Sequence, residues 1–292
     1  MSPGTTHGPE GVLVAVAHGS ADPRAAATIA DLMTVAAERA ARRGVDLPDL
    51  RIAYLGHAPP SLPQVMNTID VGRPVTVLPL LLTAAYHAKV DIPRLLARVP
   101  RPRVTYGAPL GPDPLLLRAL ERKLAGTDPG VLEDPSRTGV VLAAAGSSDP
   151  GANASVARLA AAWQARAGWF AVCPAYASAA TPEPAAAVTD LLRSGARRVV
   201  VATYLLAPGY FADRIRDSSL AAGAAAVSSV LGASAEVADV LLDRFRSCAT
   251  SPSPAIAAAA GISLTPGRTD RSIPVYASRG DAATNPEHKP DD

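Results

Sequence analysis

The sequence predicts an α/β protein built from two pseudo-symmetric domains, each a four-stranded parallel sheet flanked by helices. Each half alternates short runs rich in Val, Ile and Leu with longer amphipathic segments rich in Ala and Leu, as in a parallel sheet covered by helices. The chain also repeats itself: VLVAVAHGSADP from residue 12 returns as VVLAAAGSSDP from residue 140, and VTVLPLLLTAAYH from residue 75 returns as VVVATYLLAPGYF from residue 199. With 292 residues, 48% of them hydrophobic and 18% charged, the chain is long and apolar enough for two such domains.

In the first half, four apolar runs predict strands and the amphipathic segments that follow them predict helices. Two helix starts combine a capping residue with an early proline, namely Asp22 with Pro23 and Asp91 with Pro93. The predicted strands cover about residues 12–18, 50–56, 74–82 and 103–107, and the predicted helices about 23–43, 61–71, 92–99 and 113–125.

The second half repeats this order. Its predicted strands cover about residues 139–145, 169–175, 197–206 and 226–230, and its helices about 151–167, 183–194, 211–221 and 234–247. Gly, Pro and Asp cluster between the halves, and Ser, Pro, Gly and Thr dominate the end of the chain. We therefore predict an N-terminal domain at 1–126, a C-terminal copy at 139–248 and a disordered tail at 249–292.

Composition narrows the function classes. The formal net charge is only +2 and the basic residues are scattered, so nucleic-acid binding has little electrostatic support. No apolar run approaches the about 18 residues of a membrane helix, and the first residues lack the features of a signal peptide. Cys173 and Cys248 form no metal or redox spacing and are expected to be reduced and structural. We expect a soluble cytoplasmic protein without nucleic-acid or membrane partners.

Two histidines are present in the first copy of the repeat and missing from the second. The repeat aligns His18 with Ala145, and it aligns His87 with Phe211. Both histidines follow predicted strands, and a strand order of 2-1-3-4 would bring those two strand ends to one ligand-binding crevice. The function is therefore predicted to lie in the N-terminal half.

Two imidazoles at one crevice suit a borderline divalent metal ion such as Fe²⁺, Co²⁺ or Ni²⁺ and leave coordination positions open for a substrate. One of them could instead serve as a general base. The alternative is that each histidine only bonds a loop carbonyl, but the loss of both from the copy favours function. His57, after the second strand, is a third candidate, although an ordinary loop histidine explains it as well.

The helix start after His18 predicts an anion site. Its unpaired backbone N–H groups favour a carboxylate or phosphate, and Arg24 could add a full charge. The second copy keeps the same Gly-Ser and Asp-Pro pattern, so Ser20 and Asp22 could equally serve only to turn strand into helix.

Three segments resemble the small class II tetrapyrrole chelatases, the sirohydrochlorin chelatase family of siroheme and cobalamin synthesis. They are VAHGSADPRA from residue 16, APPSLPQVM from residue 58 and PLLLTAAYHAKVDIP from residue 79. With the degenerate second half, the resemblance covers about residues 12–248. It implies two chelatase-like, flavodoxin-like domains, in the long form of the family whose histidine-bearing half is N-terminal.

The resemblance also implies the reaction, which is insertion of a divalent metal ion into sirohydrochlorin without ATP or another cofactor. Fe²⁺ for siroheme is favoured and Co²⁺ for cobalamin nearly as much. In this reading His18 binds the metal and accepts pyrrole protons, and His87 completes the metal site. The tetrapyrrole would be lined by Thr83, Ala84, Ala85 and Tyr86, and its carboxylates would meet Ser20, Arg24 and Lys89.

One departure from the family concerns the acidic residue that often precedes the Ala-x-Pro-Ser motif. This chain has Gly56 followed by His57 there, and we hypothesise that His57 replaces the carboxylate. Asp91 is interpreted as a helix cap and receives no chemical role. The second half would supply an apolar opposite wall around Ala145, Tyr210 and Phe211.

Other functions have weaker support. A non-catalytic metal or tetrapyrrole carrier could use the same histidines. Two-domain racemases need a cysteine from each half, whereas both cysteines here lie in the second half. A nucleotide-binding module lacks its glycine-rich fingerprint or Walker lysine. A monomer is predicted because the repeat builds in a pseudo-dimer, and a homodimer stays open.

Overall fold

The computed structural model describes residues 11–99 and 103–250. In these residues each half forms one parallel four-stranded sheet, as predicted. The first half contains β1 (Val12–Ala17), β2 (Asp49–Tyr54), β3 (Val75–Pro79) and β4 (Val104–Tyr106), with α1 (Pro23–Arg42), α2 (Leu62–Asn67), α3 (Ile92–Ala97) and α4 (Pro114–Thr127). The second contains β5 (Thr138–Ala144), β6 (Ala171–Tyr176), β7 (Arg198–Tyr204) and β8 (Ala226–Val227), with α5 (Pro150–Ala167), α6 (Pro184–Arg193), α7 (Tyr210–Ala221) and α8 (Ala235–Thr250). The predicted disordered tail lies outside the described residues.

The strand order is β2-β1-β3-β4 in one sheet and β6-β5-β7-β8 in the other. The register pairs Ala17 with Tyr54 and Val16 with Pro79, so the carboxyl ends of the central strands lie side by side. The 2-1-3-4 order on which the crevice depended is therefore confirmed.

Several element bounds differ from the prediction: α2 ends at Asn67 rather than near residue 71, and β8 covers only Ala226–Val227 rather than 226–230. Two further differences concern the site. Strand β3 ends at Pro79 rather than near residue 82, although the Leu80 N–H still bonds the Val16 carbonyl of β1 at 2.7 Å. The chain then continues as a loop and enters a π-helical turn, His87–Asp91, which leads directly into α3. Asp91 has helical backbone angles and makes no capping bond with its side chain, so its interpretation as a helix cap was wrong.

The two halves share one hydrophobic core. Helix α4 of the first half packs against β7 and β8, while α8 of the second half packs against α1, α4 and β3. Leu32 and Trp163, one from each half, are fully buried in the same cluster. The described residues therefore form one compact unit, and the shared core holds the carboxyl edges of the two sheets around a common cavity.

In the described part of the chain, no helix combines the length and the apolar character needed to cross a membrane.

Candidate active site

The turn after β1 positions the first imidazole. Gly19 has φ +88°, and a Cβ atom there would lie 1.8 Å from the carbonyl oxygen of Gly56. His18 directly precedes this turn, and its Nδ1 atom lies 3.1 Å from the Gly19 carbonyl oxygen. Because a carbonyl only accepts hydrogen bonds, Nδ1 carries the proton and Nε2 keeps its lone pair.

The π-helical turn positions the second imidazole. The Nδ1 atom of His87 donates to the carboxylate of Asp91 across 2.6 Å. An ionised carboxylate only accepts, so this bond also leaves the lone pair on Nε2. Asp91 is a candidate site residue that sequence reasoning missed. Two features of the sequence could have identified it. Asp91 follows His87 by four residues, and the repeat aligns it with Ile215, an apolar residue that is buried in the second half.

The two imidazoles lie close enough to share one metal ion. Their ring centroids are 4.8 Å apart and their planes enclose 79°. A metal–nitrogen bond of about 2.1 Å puts each centroid about 3 Å from the ion, so the centroid separation allows one ion between the two rings. This matches the prediction that these histidines face one crevice.

His57 is a third imidazole near the pair, but it is not placed to bind the same metal ion. Its ring centroid is 6.2 Å from that of His18, and the two planes are nearly parallel at 19°. The side chain is exposed on left-handed backbone with φ +60°. Among the described residues no set of three His, Cys, Asp or Glu side chains is arranged to hold a metal ion. The His18–His87 pair therefore leaves ligand positions open for exchange.

A cavity of about 940 Å³ opens in front of the pair, with one wall from each half. The first wall carries the three imidazoles. The facing wall has Ala145 and Phe211 at the positions that correspond to His18 and His87, beside Leu205, Leu206 and Tyr210. One wall can therefore coordinate and exchange protons, while the other offers mostly apolar surface.

The structure brings most of the predicted substrate residues to this cavity. Ser20, Thr83, Ala85 and Tyr86 line it, whereas Arg24 and Ala84 are not among the described residues that do. The Ser20 hydroxyl accepts a bond from the Asp22 backbone N–H, and Ser147 does the same for Asp149 in the second half. This equivalence favours the turn-forming interpretation of Ser20 and Asp22.

The predicted anion partners Arg24 and Lys89 are engaged by carboxylates beside the cavity. Lys89 Nζ lies 2.8 Å from Asp149, and Arg24 Nη2 lies 2.6 Å from both Asp22 and Asp213. The hydrogen bond from Lys89 lowers the pKa of Asp149, as the bond from Arg24 lowers that of Asp22. Lys89 and Arg24 thus join the two halves across the cavity, and their charges are compensated within the protein.

The second half keeps the backbone of the site without its chemistry. Gly146 repeats the left-handed turn with φ +86°, and Ala179 holds φ +57° at the position that corresponds to His57. Duplication has preserved the loop frame in both halves, while the imidazoles remain only in the first.

Comparison with known proteins agrees with these features. The model of the CbiX family matches residues 12–127 and 139–248. The chain is 29% identical over 182 residues to a sirohydrochlorin ferrochelatase of Priestia megaterium, covering 60% of this chain and 67% of that protein. It is 32% identical over 145 residues to the sirohydrochlorin ferrochelatase of Bacillus subtilis (strain 168), covering 48% of this chain and 54% of that protein.

A third relative and a solved structure extend the comparison. A sirohydrochlorin cobaltochelatase of Priestia megaterium is 25% identical over 164 residues, which are 53% of this chain and 54% of that protein. The structure of SirB from Bacillus subtilis with Fe³⁺ superposes with a TM-score of 0.66 at 26% identity, covering 82% of this chain and 95% of that one.

Proposed function

Because the chain belongs to the CbiX family, we propose that it is a sirohydrochlorin chelatase that inserts a divalent metal ion into the macrocycle without ATP. The observation that carries the proposal is the His18–His87 pair, with centroids 4.8 Å apart at the wall of a cavity of about 940 Å³. Fe²⁺ is the favoured metal and Co²⁺ is nearly as well supported, since two of the curated relatives are ferrochelatases and one is a cobaltochelatase.

The geometry supports roles for both imidazoles in metal binding and in proton removal. The macrocycle loses two pyrrole N–H protons and gains one divalent cation, so charge balances when both protons leave. The Nε2 lone pairs of His18 and His87 are free, and each can either bind the incoming ion or accept a pyrrole proton, but not both at once. Because His18 is exposed, a proton that it accepts can pass to solvent.

The apolar second wall supports binding of a flat ligand. Phe211 is 37% exposed and Tyr210 is 73% exposed, although both are large aromatic residues. Exposed aromatic surface in a cavity suits stacking against a conjugated ring system. The macrocycle would thus lie between aromatic side chains on one face and imidazoles on the other.

His57 is proposed as an auxiliary residue in place of the missing acidic residue. It lines the cavity and lies beside His18, which supports a role in receiving the ion or a proton. This hypothesis predicts weaker metal affinity or slower turnover in His57→Ala.

The test is anaerobic absorbance spectroscopy of sirohydrochlorin with the purified protein and Fe²⁺, Co²⁺ or Ni²⁺. We expect spectral conversion above the spontaneous rate, lost in His18→Ala and in His87→Ala. Arg98→Ala, an exposed change on the α3 side, serves as the control and should convert normally. Tight binding of the tetrapyrrole without acceleration would instead identify a non-catalytic carrier, and unchanged His57→Ala activity and affinity would remove His57 from the mechanism.

We also propose a cytoplasmic monomer. The shared core already covers each sheet with a helix from the other half, so a second chain is not needed for that purpose. Light scattering after size exclusion should then give a mass near 29.8 kDa.

A further inference from the structure

Arg94 does not itself line the cavity, but it places a guanidinium next to Tyr86, which does. Its Nη1 atom donates to the hydroxyl of Tyr86 across 3.4 Å. Tyr86 lines the cavity, is 51% exposed and lies against the ring of His87, with centroids 6.5 Å apart. Arg94 itself is exposed, and within the described part of the chain it forms no ion pair, in contrast to Arg24 and Lys89. Its charge is therefore available to a ligand.

The hydroxyl of Tyr86 is also available to a ligand. Because it accepts the bond from Arg94, its own proton is left for another acceptor. Arg94 and Tyr86 thus offer N–H and O–H donors side by side, and a guanidinium matches the geometry of a carboxylate.

This arrangement occurs on the histidine side only. The repeat aligns Tyr86 with Tyr210 and Arg94 with Ser218, so the second half has the aromatic ring without a cation at the aligned position. The nearby Arg214 is engaged by Glu183 and by the Ala177 carbonyl. The Ser218 hydroxyl is satisfied by the backbone carbonyl of Arg214 at 2.7 Å. The cavity mouth is therefore electrostatically asymmetric at these corresponding positions.

We propose that Arg94 and the Tyr86 hydroxyl bind a peripheral carboxylate of the tetrapyrrole and so fix the rotation of the macrocycle over the His18–His87 pair. The inference rests on the proposed function and names a specificity-determining contact for it. Apolar walls alone let a flat ring turn in its plane, whereas one anchored edge sets which ring nitrogens face the imidazoles.

The test is a fluorescence titration of sirohydrochlorin against the protein without metal. Arg94→Ala should raise the dissociation constant about fivefold at low salt, the upper range for an exposed charge pair. The difference should shrink between about 0.01 M and about 1 M salt, because the contact is screened. Arg94→Lys should fall between wild type and Arg94→Ala, and Tyr86→Phe should weaken binding about threefold through loss of one hydrogen bond.

Three comparisons make the result specific. Arg98→Ala removes another exposed arginine close to α3 and should bind like wild type. The methyl-esterified macrocycle should bind wild type and Arg94→Ala equally, since it offers no carboxylate. In turnover, Arg94→Ala should raise the KM for sirohydrochlorin and leave the KM for Co²⁺ unchanged, because the imidazole pair is intact.

The outcomes separate this inference from the proposed function. If wild type binds sirohydrochlorin and Arg94→Ala binds it equally well at low salt, the anchor does not exist. If wild type does not bind sirohydrochlorin at all, the proposed function fails and the anchor fails with it.

Discussion

Each imidazole of the His18–His87 pair is held through its Nδ1 atom, but by different acceptors. His18 uses the neutral carbonyl of its neighbour Gly19, whereas His87 uses the carboxylate of Asp91 at 2.6 Å. A carboxylate behind a metal-binding histidine fixes both its tautomer and its ring orientation. We therefore expect Asp91 to act as a positioning residue, through its bond to His87.

Removing this carboxylate should weaken the site without unfolding the protein. We expect Asp91→Ala to lower Co²⁺ affinity and chelation rate by about 10- to 100-fold, the usual cost of losing such a partner. Asp91→Asn should lose less, because its amide oxygen can still accept from His87. Calorimetric Co²⁺ titration and turnover measure the effect. Asp46→Ala, which removes an exposed carboxylate elsewhere in the first half, is the control. Equal metal affinity in Asp91→Ala and the control would contradict the positioning role.

At the scale of elements, the strand-to-helix turns are built alike in both halves and set the position of the site loops. A Cβ atom at Gly19 would meet the Gly56 carbonyl at 1.8 Å, and one at Gly146 would meet the Ser178 carbonyl at 1.9 Å. The Gly56 N–H also bonds the His18 carbonyl at 3.1 Å. The close approach of these two backbones brings His57 beside His18.

A methyl group at Gly19 should therefore lower the free energy of unfolding by more than backbone strain alone would. Gly44 also has positive φ, at +61°, but a Cβ atom there would meet nothing within 4 Å. Gly44→Ala should lower the free energy of unfolding by about 1–2 kcal/mol, the cost of left-handed backbone. Gly19→Ala should lower the free energy of unfolding by about 1–3 kcal/mol more than Gly44→Ala does, because its methyl group overpacks the turn. Urea unfolding of both variants measures the difference, and equal losses would show that the turn can relax.

At the scale of the whole molecule, the two sheets cannot separate without breaking one core. Helices α4 and α8 are exchanged between the halves, and each covers the sheet of the other. The cavity lies between two walls that this core holds in place. The second copy, which lacks the imidazoles, thus still supplies one wall of the cavity and half of the packing around it.

Unfolding should accordingly be one cooperative step for both halves. The two tryptophans, Trp163 and Trp169, are both in the second half and report on it by fluorescence. Leu32→Ala in α1 of the first half should lower stability by about 2–5 kcal/mol, since Leu32 is fully buried. We expect the tryptophan-detected midpoint in urea to fall, with little change for the exposed Glu38→Ala on the same helix. An unchanged tryptophan transition in Leu32→Ala would mean that the halves unfold independently.

Much of the fold and the central pair of the site could be predicted from the sequence, because both depend on local signals. Apolar periodicity and capping residues are encoded by neighbouring positions, so the elements and their order were predictable. Once the order 2-1-3-4 is assumed, two histidines that follow strands one and three must meet, because parallel strands end at one edge. Comparing the two copies then separated His18 and His87 from residues that serve only the turns.

The tertiary structure alone decided which side chains pair and which helix covers which sheet. From the sequence Asp91 was interpreted as a helix cap, whereas the π-helical turn places it against His87. Arg24 and Lys89 were predicted to meet the substrate carboxylates, whereas packing brings Asp213 and Asp149 to them. The pairs Arg24–Asp213 and Lys89–Asp149 depend on how segments far apart in the chain come together, and no local pattern encodes them. The His87–Asp91 pair is local, but its spacing of four also fits a helix start, so the π-helical turn was needed to identify it. The sequence by itself therefore determined the elements and the imidazoles, while packing between the halves determined which charges remain free and what closes the cavity.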